Sequence, residues 1–147
     1  MPSAAWIVVA DSSRCRIFSS DKPAGPLAEI EALAHPEGRL HERELASDRP
    51  GRAFDSKGEG RHAMSSEVGA KKHEAIVFAT RIAERLESGR SAGDFERLVL
   101  VAPPSFLGLL RERLKRPLRA RVAREVGKNM TLLKARALRA QLPKRLY

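Results

Sequence analysis

Residues Leu98-Val-Leu-Val-Ala102 are apolar at every position, and Pro103 and Pro104 follow at once. A strand that is wet on one face alternates apolar and polar side chains. One that is apolar throughout is covered on both faces, as an inner strand between layers of helix is. The prolines close this run and suit the first turn of a helix, and Phe106, Leu107, Leu110 and Leu114 then recur at helical spacing. Trp6-Ile-Val-Val-Ala10 is a second compact apolar run, bounded by Asp11-Ser12-Ser13, which is turn chemistry. Arg14-Cys-Arg-Ile-Phe18 alternates after it, so residues 6–18 are expected to form a β-hairpin.

The remaining elements follow from pattern. Leu27 to His35 alternates weakly and is assigned as a third strand, with a helix as the competing reading because Glu and Ala favour strands poorly. No period survives from Pro36 to Met64, which implies a long flexible loop at about 40–64. Ser65-Ser-Glu67 has the chemistry of a helix start, and Ala75, Ile76, Ala79, Ile82, Ala83 and Leu86 form an apolar stripe on a helix ending near Gly89. Pro117 interrupts the helix after Pro104, Val122 to Val126 is a candidate last strand, and Thr131 is the expected cap of a terminal helix carrying Ala135, Leu138 and Leu142 on one face. Strands alternating with helices after an antiparallel start imply an α/β fold with a mixed sheet and helices on its faces. At 147 residues, 1–147 is expected to be a single domain.

Charge narrows the partners. The net charge is +10, yet residues 103–147 alone hold 13 Lys/Arg against two acids, Glu112 and Glu125, while the first 102 residues are close to neutral. Concentrated cations are the electrostatic footprint of a polyanion: nucleic acid, the ribosome or an anionic membrane surface. The competing reading is an ordinary solvated face. The N-terminus lacks a basic lead and the apolar stretch of a secretion signal, and no apolar run approaches the ~20 residues that cross a bilayer, so a cytoplasmic location is expected. Cys15 stands alone and reads as a small core residue.

Motifs for chemistry are sparse. There is no Gly-rich phosphate loop, and Ser105 lacks the Gly-x-Ser-x-Gly turn that exposes a nucleophile. The helix start at Pro103-Pro-Ser105 follows a central strand, where α/β sheets hold ligands, but packing is the favoured role because the prolines remove backbone donors. His35, His41, His62 and His73 include no helical His-x-x-x-His pair and default to exposed polar residues. No catalytic residue, metal or cofactor is therefore assigned. The basic residues positioned to meet RNA phosphates are Arg61 in the Gly58-Glu-Gly-Arg-His62 loop, Lys71 and Lys72 beside it, and Lys115, Arg116, Arg119, Arg121 and Arg124 toward the C-terminus.

Three segments together resemble the bacterial host-attachment protein family: Trp6 to Phe18, Leu98 to Arg111 with its Ala-Pro-Pro-x-x-Leu-Gly-x-Leu-Arg pattern, and Val126-Gly-Lys-Asn-Met-Thr-Leu132. The resemblance implies a fold similar to the middle domain of archaeal and eukaryotic class-1 release factors, with a five-stranded mixed sheet, and work on the ribosome. The Gly-Gly-Gln tip of that domain has no counterpart here, because the corresponding stretch reads Gly58-Glu-Gly-Arg-His62. The function expected is a non-catalytic module that binds RNA or the ribosome through its basic C-terminal surface, with a homodimer on the terminal helix as a further option. The alternatives are an interaction protein needed indirectly for attachment to host cells and, third, a phosphoester hydrolase.

Overall fold

The computed structural model describes residues 3–37 and 57–147, with the backbone alone for Ser3 and 57–68. Its five strands are β1 (Ser3–Ala10), β2 (Arg14–Ser20), β3 (Ala28–Ala34), β4 (Phe95–Val101) and β5 (Val122–Val126). Its helices are α1 (Lys57–Ala92), α2 (Pro104–Arg113), the single turn α3 (Arg116–Arg119) and α4 (Ala135–Gln141). The strands form one sheet in the order β3-β2-β1-β4-β5. β1–β2 and β2–β3 are antiparallel, whereas β1–β4 and β4–β5 are parallel. The sheet is therefore mixed and five-stranded, and the segment assigned from Leu27 to His35 is a strand over Ala28–Ala34.

The two apolar runs occupy the middle of the sheet. From Ala5 to Ala10 and from Leu98 to Ala102 every residue is buried. Alternation divides them between two cores. Trp6, Val8, Ala10, Leu98 and Leu100 face α1, α2 and Leu118 of α3; Ala5, Ile7, Val9, Val99 and Val101 face Met130, Leu138, Leu142 and Leu146 on the other side. Cys15 lies wholly inside the first core, where burial raises its thiol pKa far above the ordinary value and keeps it a neutral packing group.

α1 differs most from its sequence reading. It begins at Lys57 rather than at Ser65, so residues 57–64 of the assigned loop are helical, while 40–56 lie outside the described residues. Its buried stripe runs from Ala75 to Leu86 and matches the expected positions except that Ile76 is only half-buried and Phe78 is added. The helix is about 54 Å long at 1.5 Å per residue, more than twice the ~23 Å of a seven-residue strand. No helix among the described residues is long and apolar enough to cross a membrane.

The helix also ends later than expected, at Ala92. Gly93 adopts φ +77°, Gly93 N–H donates to the Arg90 carbonyl at 3.0 Å, and Asp94 N–H donates to the Gly89 carbonyl at 2.9 Å. That is a Schellman closure, which needs the left-handed residue that glycine supplies. Gly89 serves packing instead. A Cβ built there would lie 2.7 Å from Trp6 Cη2, and Trp6 is held against Phe95 with ring centroids 4.7 Å apart.

Gly89→Ala is accordingly expected to lower unfolding stability by about 1–3 kcal/mol, because overpacking outweighs the better helix propensity of alanine. Urea denaturation reads the loss. The same change in a Trp6→Phe background should lower stability by markedly less, since the clashing ring atoms are gone.

Candidate functional site

The carboxyl ends of the three parallel strands open on one side of the molecule, and a single carboxylate organises that end. Asp11 leaves β1, and its Oδ1 accepts from Ser13 N–H at 2.8 Å, Ser13 Oγ at 3.0 Å and Arg14 N–H at 2.9 Å. These bonds close the hairpin turn. Its Oδ2 accepts from Thr131 Oγ1 at 2.9 Å, and that hydroxyl also lies 2.8 Å from Asn129 Oδ1. Arg16 reinforces the tie by donating to the Thr131 carbonyl at 3.1 Å and to the Leu133 carbonyl. Thr131 is therefore no helix cap: α4 starts four residues later behind Lys134, and the hydroxyl instead fastens the β5–α4 connection to the first turn of the chain. Spacing along the sequence cannot reveal this, because 120 residues separate the partners.

Above this network lies a cavity of about 590 Å³, lined by Asp11, Ser12, Lys71, Lys72, Ser105 and Asn129 and, on its apolar wall, by Ala75, Phe106 and Leu109. Two of the basic residues singled out from sequence thus meet the end of the sheet. Arg61 belongs to α1, and its side chain lies outside the described residues.

The remaining basic residues gather elsewhere. Lys115, Arg116, Arg119 and Arg121 surround α3, near the amino end of β4, where Leu98 N–H donates to the Arg121 carbonyl. They are thus roughly a strand length, about 20 Å, from Lys71 and Lys72. Arg119 donates to the Arg111 carbonyl at 2.8 Å and Arg121 to the Glu96 carbonyl at 3.4 Å, while both side chains stay exposed. Lys115 lines a smaller cavity of about 310 Å³ opposite Glu84 and Glu87 of α1. Arg124 stands in register with Val99, a residue of the second core, so it projects from the face opposite α2 and α3. The sequence-assigned residues therefore do not form one continuous patch.

Across residues 103–147 the only ion pair among the described residues joins Arg111 to Glu125. The Arg111 hydrogen bonds hold the Glu125 carboxyl below the usual range. The acids near the opposite edge are matched locally: Glu29 by Arg16 at 2.7 Å and Glu31 by Arg85 at 2.7 Å.

His35 corrects the expectation that the histidines are exposed. It is buried, stacks on Phe78 with centroids 5.2 Å apart, and contacts Glu74 Oε2 through Nε2 at 2.6 Å. One ligand atom from each of His35, Glu37 and Glu74 lies within 4.8 Å of the others, which is compact enough to hold a metal. The Arg81 guanidinium, 3.5 Å from Nδ1, already supplies a positive charge there and disfavours a cation.

This architecture defines the chain as a mixed α/β domain with a ligand-sized cavity at its parallel-strand ends and a largely unpaired basic C-terminal third. It belongs to the family described as "protein required for attachment to host cells", whose model matches residues 6–142. No curated protein matches it. Among solved structures it is similar to one titled "Archaeal protein", at 14% identity and a TM-score of 0.46 over 93% of this chain and 33% of the other. It is also similar to the archaeal translation termination factor aRF1, at 13% identity and a TM-score of 0.43 over 95% of this chain and 35% of the other. The chain thus spans about a third of the length of each.

Asp11→Ala removes the acceptor of four hydrogen bonds and is expected to destabilise the fold by about 2–4 kcal/mol, at roughly 1 kcal/mol per bond. Asp11→Asn, which keeps an acceptor oxygen, should lose less. Thermal unfolding of the two variants checks the order; equal stability of Asp11→Ala and wild type would mean that the network is incidental.

Proposed function

We propose that the chain is a non-catalytic RNA-binding module that associates with the ribosome, contacting phosphates through its basic C-terminal surface. The observation that carries this reading is the near absence of acid partners: of 13 Lys/Arg in residues 103–147, Arg111 alone has a side-chain carboxylate within ion-pair distance among the described residues. Neutralising this surface internally would have required acids that the segment does not contain. Left exposed, the charge favours a partner that releases counterions on binding. Cations on α3 and on the opposite face at Arg124 suit a backbone that wraps the β5 edge more than a flat duplex laid on one face. The phosphate contacts would position the partner without reading its sequence. Attachment to host cells, for which the family is named, would follow indirectly from an action on translation.

The test is fluorescence anisotropy with single-stranded RNA across a salt series, beside co-sedimentation with ribosomes at low and high salt. Five phosphate contacts predict a log–log slope of about −3.5, and Arg116→Gln with Arg124→Gln should flatten it by about 0.7 per charge removed. Association that ignores salt, or none at low salt, would overturn the reading.

A further inference from the structure

The connection from β5 to α4 carries an unusual residue at its tip. Leu133 N–H donates to the Met130 carbonyl at 3.2 Å, so Thr131 and Leu132 are the central residues of a β-turn. Turns favour Gly, Pro, Asn, Asp and Ser, each for a physical reason that leucine does not share. Thr131 faces inward, only 3% exposed, with its hydroxyl held by Asp11. Leu132 is 79% exposed, against 48% for Ile30, the other exposed large apolar residue among those described. The backbone holds it there. Arg16 donates to the carbonyls on either side, those of Thr131 and Leu133, and Leu133 packs on the second core. A leucine is thus presented to solvent from a fixed turn, where folding gains nothing from its apolar surface.

Cations flank it and acids do not. Lys128, Lys134 and Arg136 lie within four residues of Leu132 in the chain, all exposed and none with an acidic partner among the described residues. From Val126 to Tyr147 there are six Lys/Arg and no Asp or Glu. Leu138 and Leu142 turn one side of α4 to the sheet. Arg136 and Ala140, each about half a turn from Leu138, are exposed on the outer side. Cations around one projecting aliphatic chain match an anionic lipid surface, where headgroups take the charge and the acyl boundary takes the leucine. Unstacked RNA bases are held by aromatic rings instead, and on this side Phe18 is buried and Tyr147 packs on the core. A protein partner would need a contiguous apolar centre, which one leucine does not make. We infer that the β5–α4 turn and the outer side of α4 dock on an anionic membrane surface, with Leu132 inserted among the lipid chains. The inference goes beyond the RNA-binding reading and does not rest on it, because the cations around α3 take no part.

Flotation of the full chain with vesicles of phosphatidylcholine alone, and of phosphatidylcholine mixed with an equal amount of phosphatidylglycerol, tests it. Binding to the mixed vesicles and none to the neutral ones is expected. Leu132→Ser should weaken that binding about tenfold, as withdrawing a leucine from an apolar medium does. Lys134→Gln and Arg136→Gln should weaken it about fivefold each, whereas Arg116→Gln should bind like wild type. All four side chains are exposed, so unchanged thermal unfolding verifies that the variants fold. In Leu132→Trp, phosphatidylglycerol brominated on its acyl chains should quench the new indole and leave Trp6, buried in the first core, bright. No binding to the mixed vesicles, equal binding to both kinds, an unquenched indole, or a Leu132→Ser variant that binds like wild type would each overturn the inference, even where salt-dependent RNA binding persists. Loss of RNA binding in Lys134→Gln with Arg136→Gln, beside no binding to either vesicle, would assign this face to RNA and overturn it as well.

Discussion

The parallel pairing of β1 with β4 is the contact on which the rest of the molecule depends. The two strands are buried without a break from Ala5 to Ala10 and from Leu98 to Val101, so each needs cover on both faces. A parallel pair also cannot be joined by a tight turn and requires a long crossover. The chain meets both demands by running through β2, β3 and α1 before β4. α1 covers one face, α4 and the C-terminal tail cover the other, and the strand ends between diverging connections are left open. The cavity is a consequence of that topology rather than of any local motif.

Polar ties then fasten the C-terminal segment onto this centre. Asp11 and Arg16 hold the connection after β5, Arg139 donates to the Gly25 carbonyl at 2.8 Å, and Leu146 N–H donates to the Pro23 carbonyl at 2.7 Å. Several C-terminal cations thus bond to backbone carbonyls, which satisfies their geometry without cancelling their charge. On the far side of the sheet, Glu29 and Glu31 are matched by arginines from neighbouring elements. The charge asymmetry along the chain becomes an asymmetry across the sheet, nearly neutral at β3 and strongly positive around β5.

The inner strands were legible because burial on both faces demands an unbroken apolar run, as Leu98 to Ala102 shows. The stripe of α1 was legible from Ala75 onward because that part packs on the sheet. Its first turns, residues 57–64, were not, because they carry no apolar period to mark them: helix propagates from an established segment at little further cost. Thr131 was misread for a different reason. A threonine ahead of an amphipathic stretch has cap chemistry, but its hydroxyl has a stronger claim from a carboxylate that only the fold brings near. Of the residues assigned to phosphate contacts, Lys71 and Lys72 converge on the cavity, whereas Arg124 departs to the opposite face because the β4–β5 register shifts between Leu98 and Val99, which leaves Val122 with the first core and sets Arg124 opposite Val99.

By itself, the sequence determined the element types, the two-sided burial of the inner strands and the excess of positive charge in the last 45 residues. Each of these depends on side chains close together in the chain, where periodicity and composition act directly. Only the tertiary structure decided which strands are neighbours, that Asp11 and Thr131 meet, that His35 is buried against Glu74, and that Lys71, Ser105 and Asn129 share one cavity. These are contacts between distant segments. They follow from how two apolar strands find cover on both faces, a condition that the whole chain satisfies at once and no single stretch encodes.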